Sequence, residues 1–421
     1  MSARSRLPSE LQQLSVLIAV NLVDMVGLML VLPILPFYAS DLGASPERIG
    51  QLIAAFAIAQ LIAAPFWGRL SDRYGRRPAL VIGLAASALA FLVFAYAHSI
   101  WLLFLSRLIQ GAGGGTTGVA QAYVADTVQP KERAKALGWL SASTNVGVVL
   151  GPVIGGLAVH LDRAAPGLIA CGLCAVNAVL AWHWLPESRS GLGSHPRDRK
   201  PVWHAAWQVL RHPTHAVPRF VWIYGIGMLA FSCLTSLVAL YLKEEHGVTE
   251  STIGYFFTYI GALNILMRLV LLGPIVRRVG EVRAMRLGAA ALILGLLAYP
   301  AAGNLWQLVL VIPLVPIGTA LLFPATTSLM SRYSDPAEVG TTMGVAQTYA
   351  GTARVVAPIL GAIVFQRIGH QWPFLAAAGM MALVSVLAFK LQGLAGPSGE
   401  YPVAMGPGAR AAPRATTAPP Q

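Results

Sequence analysis

The sequence has 421 residues, of which 56% are hydrophobic and 11% charged, against roughly 25% charged in a typical soluble domain. That balance excludes an ordinary soluble enzyme or binding module and describes a chain that crosses a membrane many times. The formal charge of +13 is not a nucleic-acid footprint, because the basic residues sit in connections between apolar runs and form no stripe.

The first apolar run, 14–37, follows a short head carrying Arg4 and Arg6. It is too long for a secretory signal, holds Asp24 and lacks a small-residue cleavage site, so it reads as a spanning helix. Further runs at 49–67, 79–97, 101–124, 136–159, 166–185, 218–242, 251–273, 284–302, 305–330, 341–365 and 372–393 bring the expected spans to twelve. Each reaches or approaches the length a helix needs to cross about 30 Å of hydrocarbon. Between the second and third runs lies G-R-L-S-D-R-Y-G-R-R-P, Gly68 to Pro78, expected as a tight loop. Its arginines, Arg69, Arg73, Arg76 and Arg77, place it on the cytoplasmic side, and both termini with it. About 23 of the 30 Lys and Arg residues then lie inside and about four outside (Arg48, Arg163, Lys243, Arg367), the asymmetry that sets topology.

The expected fold is an all-α membrane protein with twelve transmembrane helices in two pseudo-symmetric six-helix bundles. The first bundle covers 14–185 after a cytoplasmic segment 1–13, and the second covers 218–393. The polar, basic connection 186–217 is a cytoplasmic linker, in which Val202–Leu210, with Trp203 and Trp207, has the pattern of a surface-lying amphipathic helix. The Pro/Ala/Gly-rich tail 394–421 reads as disordered. The halves echo each other at an offset of about 205 residues, a spacing that marks duplication: Trp101 returns as Trp306, Gly68 and Gly75 as Gly273 and Gly280, and Gly151-Pro152 with Gly155 as Ala357-Pro358 with Gly361.

Four charges fall within spans, where an ionisable side chain costs at least about 2.5 kcal/mol and normally faces a cavity or a partner. Asp24 lies near mid-depth of the first span and Arg107 in the fourth. Asn21, Asp24 and Gly27 share one helix face, and Arg107, Gln110, Gly114, Thr117 and Gln121 another. Two such stripes facing each other would form a wet wall. Of these four charges only Asp24 can change its charge in an accessible pH range, so Asp24 with Arg107 is the expected proton-coupling pair. Arg354 shares a face with Gln347, Gly351, Pro358 and Gly361, and Asn264 lies one turn from Arg268. Arg268 has two readings, a cavity residue or one snorkelling to the inner surface. The expected substrate-contacting set is Asn21, Gln110, Asn264, Arg268, Gln347 and Arg354. Phe231, Phe256, Phe257, Tyr259 and Tyr349 are candidates for an apolar lining.

Two further clusters carry mechanical readings. In the charged loop, Asp72 can meet the positive N-terminal end of a neighbouring helix while Arg73 pairs with Asp126 at the end of the fourth span. With Gly68, Gly75 and Arg76 these form a cytoplasmic latch that favours the outward-open state. Gly147, Gly151 and Gly155 repeat every four residues on one face, and Pro152 bends the same helix, so another helix can approach closely. An intramembrane enzyme would need a nucleophile with a base, or a metal cluster. His183 offers neither, and Cys171 and Cys174 in an apolar run read as packing.

Gly68-x-x-x-Asp72-Arg73-x-Gly75-Arg76-Arg77-Pro78 resembles the loop signature of the major facilitator superfamily. Arg107-Leu-Ile-Gln-Gly111 resembles its fourth-helix motif, and Gly147 through Gly156 resembles the motif of its antiporters. Asp24-Met-Val-Gly27, followed by Pro33 and Pro36, is similar to the first helix of its twelve-span drug/proton antiporters, tetracycline exporters among them. The resemblance implies a monomeric, alternating-access exporter of a small amphipathic organic solute or drug in a bacterial plasma membrane. Protons would be the coupling ion, with no cofactor and no nucleic-acid partner. It also implies that the Gly147–Gly155 face seals the interface between the bundles. One departure stands out: tetracycline exporters carry a membrane acid in the second half, and here the spans after Val217 hold none. A rival reading is therefore a proton-coupled symporter or facilitator of an anionic metabolite or lipid-like substrate.

Overall fold

The computed structural model describes residues 10–114, 116–129, 132–188, 209, 211, 215–334 and 338–389, and among them all regular structure is helical. Among the described residues eleven helices are long and apolar enough to cross a membrane. The fourth span, split into Ile100–Gly113 and Thr116–Thr127, makes the twelfth. The tail 394–421 and, apart from Val209, the expected surface helix at 202–210 lie outside the described residues.

Local chemistry sets where several spans begin. Ser45 caps the second span (Pro46–Tyr74) by accepting from the Arg48 amide, with proline in the first turn and Glu47 beside the positive helix end. Ser99 caps the fourth span through the Leu102 amide and Asn304 caps the tenth through the Gln307 amide. The repeated Trp101 and Trp306 thus mark equivalent starts, and both are exposed at a helix end, where aromatic side chains favour the membrane interface.

The charged stretch is not the loop expected of it. The second span stays helical through Tyr74, and Gly75 alone, at φ 105°, makes the corner into the third span (Arg76–Ala95). Gly280 repeats that corner at φ 81° between the eighth and ninth spans. The charged residues extend the helix as far as Tyr74 because none of them breaks it, and the corner at Gly75 then folds Arg76 back to within 2.8 Å of Asp72.

The first span (Glu10–Val31, continued by Leu35–Asp41) packs on the fifth (Arg133–Val159) and sixth (Ala165–Trp184). The seventh (Ala216–His246) packs on the eleventh (Val339–Arg367) and twelfth (Trp372–Phe389) in the same way. The bundles meet along two seams, the second span on the eleventh and the fifth on the eighth (Ile253–Val279). The eighth span departs from α-helical geometry over Met267–Leu272, a π-helical turn that contains Arg268.

Candidate functional site

The seams are tight at one end and parted at the other. A β-carbon at Gly50 would lie 2.3 Å from the Pro358 carbonyl oxygen and 2.5 Å from the Ala362 β-carbon; one at Gly254 would lie 2.5 Å from the Pro152 carbonyl oxygen. Backbone therefore touches backbone there, which only glycine permits. Near the middle, Gly351 meets Leu61 and Gly261 meets Val149. At the tight end Glu47 Oε1 accepts from Arg367 Nε at 2.8 Å, and the Glu47 amide donates to Gln366 Oε1 at 3.0 Å. Gly68 and Gly340 lie on the same faces as Gly50 and Pro358, about five turns further along. A methyl group on either would meet nothing within 4 Å. The bundles are joined at the end carrying Ser45 and parted at the end carrying Gly75.

The glycine face of the fifth span does not seal this seam. Gly147, Gly151 and Gly155 pack within the first bundle, against Met25, Met29 and Leu30 of the first span. The other bundle is met by Val149, the Pro152 carbonyl and Gly156, on a different side of the same helix. Small residues on two faces let this span approach both a bundle-mate and the opposite bundle.

Asp24 and Arg107 are not paired. Asp24 Oδ2 accepts from Thr116 Oγ1 at 3.0 Å, and Thr116 is the first residue of the second half of the broken fourth span. A helix N-terminus presents partial positive charge, so the break puts a favourable dipole beside the carboxylate. Asp24 also lines a small pocket with Val20, Asn21, Leu80, Leu84, Thr116 and Ala120, residues of the first, third and fourth spans. The break is held from the second span: the Trp67 indole donates to the Ala112 carbonyl and the Gln60 amide to the Gly114 carbonyl. The run Gly113-Gly114-Gly115 was the sequence signal for this break, since three glycines weaken a helix interior.

Arg107 is 1% exposed, its guanidinium 5.6 Å from the centre of the Phe94 ring, and its Nε and Nη2 have no hydrogen-bond partner among the described residues. Gln110, one turn on, is also buried, with Oε1 unpartnered among those residues. Asn21 spends its amide on Ser143, Thr144 and the Leu140 carbonyl of the fifth span. The two expected polar stripes therefore do not face each other, because Asn21 is turned to a bundle-mate and Thr116 takes the carboxylate.

In the second bundle, Arg354 and Gln347 are exposed. Arg354 lies between positions that touch the second span (Gly351, Pro358) and positions that touch the seventh (Gly361 against Leu237, and Gln347 Nε2 to Tyr224 Oη at 3.4 Å). It points into the angle between those spans. Asn264 accepts from Thr319 Oγ1 of the tenth span at 3.3 Å. Arg268 is exposed, about in line with Gly254 and Gly261 and nearer the parted end. Of the aromatic candidates, Tyr349 meets Trp222 edge-on, Phe231 meets Phe323, and Tyr259 Oη donates to the Val309 carbonyl.

At the charged corner the partner of Asp126 is Arg76, not Arg73. Arg76 Nε donates to Asp126 at 2.9 Å, Nη2 lies 2.8 Å from Asp72, and Nη1 donates to Ser71 at 2.7 Å. The turn at Gly75 swings Arg76 back into the bundle, while Arg73 stays exposed against the Tyr74 ring. Glu187 was not singled out from sequence, yet its carboxylate accepts from the Arg76 and Arg77 amides at 2.8 and 3.1 Å, capping the third span. A lone acid directly after the sixth span was the available signal.

The family model described as Major Facilitator Superfamily matches residues 17–312 and 220–414. The chain is 28% identical over 364 residues to the class B tetracycline resistance protein of Escherichia coli, covering 84% of this chain and 89% of that protein. It is 29% identical over 367 residues to Multidrug resistance protein 2 of Bacillus subtilis (strain 168), covering 85% and 90%. Among solved structures, a bacterial homologue of the human lysosomal transporter Spinster, in an inward-facing and unoccupied conformation, superposes with a TM-score of 0.73 at 16% identity, covering 91% of this chain and 97% of that one. Two bundles joined along two seams, an acid beside a broken span and a matching family model over most of the length give one conclusion: the chain belongs to the Major Facilitator Superfamily and is a multi-pass membrane transporter of small molecules, not an enzyme.

Proposed function

We propose that this protein exports a small amphipathic organic solute in exchange for protons, and that Asp24 is the group that carries the proton. The observation that carries the reading is the setting of Asp24: the one acid at depth in the described spans, held by Thr116 at a helix break and bordering a pocket. The names of the tetracycline and multidrug relatives support export. The pocket beside Asp24 is lined by three spans of the first bundle, so the proton's route runs through that bundle.

The positive-inside asymmetry puts the parted end in the cytoplasm, so the conformation is inward-facing, with both termini cytoplasmic in a bacterial inner membrane. Asp72, Arg76 and Asp126, with Gly68, Arg73 and Gly75, form the cytoplasmic latch in its released state. On closure Asp72 approaches the N-terminus of the eleventh span, where Gly340 now faces open space. The protein works as a monomer, with protons as its coupling ion and no nucleic-acid partner. In proteoliposomes, Asp24→Asn abolishes solute-driven proton movement while the protein stays in the membrane; coupling that survives the substitution rejects the assignment.

A further inference from the structure

The second bundle presents cations to the cleft and no acid at depth. Arg354 points into the angle between the second and seventh spans, and Arg268 follows the seam face of the eighth span toward the parted end. Neither pairs with a carboxylate among the described residues. The described acids of this bundle sit at helix ends or in connections: Glu244 and Glu245 at the end of the seventh span, Glu250 after it, Glu281 held by Arg332 and Ser328, and Glu338 at the start of the eleventh. Asp24, the acid at depth in the first bundle, is engaged by Thr116 in a pocket of its own bundle.

A guanidinium remains charged at any working pH, so the cleft wall is positive in every protonation state of Asp24. About two turns from Arg354 along the eleventh span, Gln347 is bonded to Tyr224, which meets Phe323 at 5.6 Å, and Tyr349 of the same span meets Trp222 at 5.4 Å.

We propose that the solute is an organic anion, an aromatic or otherwise apolar body bearing a carboxylate, sulfonate or phosphate that Arg354 takes, with Arg268 as a second cation nearer the cleft mouth. This rests on the exchange reading above and adds the charge of what is carried. It has an electrical consequence. Exchange of an anion for a proton moves net charge across the membrane, whereas exchange of a monovalent cation for a proton moves none.

The test uses two xanthene dyes of opposite charge, fluorescein and a rhodamine ester, on the purified full chain. Binding is read by fluorescence anisotropy in detergent and export by proteoliposome flux with and without an imposed membrane potential. Fluorescein binds more tightly than the rhodamine ester, and its export responds to the potential. Arg354→Gln lowers the fluorescein-to-rhodamine affinity ratio about tenfold, the usual order for losing one charge-assisted contact, and Arg354→Lys keeps most of it. A rhodamine ester bound at least as tightly as fluorescein, binding of neither dye, or a ratio unchanged in Arg354→Gln overturns the assignment. Fluorescein that binds and is exported without proton movement ends the exchange reading and leaves the anion assignment standing. Proton movement driven by the rhodamine ester, with no fluorescein binding, does the reverse.

Discussion

The two ends of the bundle interface hold together by different physics. At the joined end, glycine lets backbones touch, Gly50 on Pro358 and Gly254 on Pro152, with one ion pair across the rim. At the parted end, Arg76 at the start of the third span turns inward to its own bundle, where it gathers Asp72, Asp126 and Ser71. Steric fit is all-or-none and short-ranged, whereas a charge network can exchange partners at small cost when the bundles move. The rigid seal and the adaptable corner suit the two ends of a rocking machine.

The sharpest way to break this contrast is Gly50→Leu. With Pro358 backbone 2.3 Å from the first added carbon, overpacking costs about 2 kcal/mol, or roughly thirtyfold in the ratio of joined to open states. Labelling of a cysteine placed near Ser45 then rises with the fraction open. Next in size, Arg76→Ala removes one ion-pair partner from each of Asp72 and Asp126. Those carboxylates are 58% and 32% exposed, so screening holds the loss to about 1–2 kcal/mol, measured as a lower Tm in detergent.

A smaller effect depends on pH. Burial and the nearby Asp41 hold the Glu250 carboxyl above its ordinary range, against the downward pull of Arg163 and Lys243. A carboxyl raised in this way favours the joined state while protonated, and that contribution is present at low pH and fades as pH rises through the raised value. Glu250→Gln flattens the pH dependence of labelling near Ser45. The smallest effect belongs to Arg367→Ala. Arg367 is 70% exposed in its pair with Glu47, so the joined state weakens by less than about 1 kcal/mol, and flux in proteoliposomes changes less than in Gly50→Leu.

Fold and span order were legible because hydropathy and the basic residues between apolar runs act one span at a time. The corner at Gly75 was less so: its glycine was plain, but the persistence of helix through Arg69–Tyr74 depends on where the neighbouring helices end. Pairing was harder still. Arg73 and Arg76 differ by three residues, and only the turn between them decides which reaches Asp126. The hydroxyl of Thr116 displaced Arg107 from Asp24 for the same reason, since sequence shows that a break is easy at three glycines but not what the break delivers. The Gly147–Gly155 face announced close packing correctly in kind, yet it said nothing of which neighbour is approached.

The second span touches the eleventh with one side and, through Trp67 and Gln60, grips the two carbonyls at the interruption of the fourth. A helix pinned at both places acts as a lever. It cannot tilt against the opposite bundle without pulling on those two bonds, or dragging with it the turn of helix whose first hydroxyl holds Asp24.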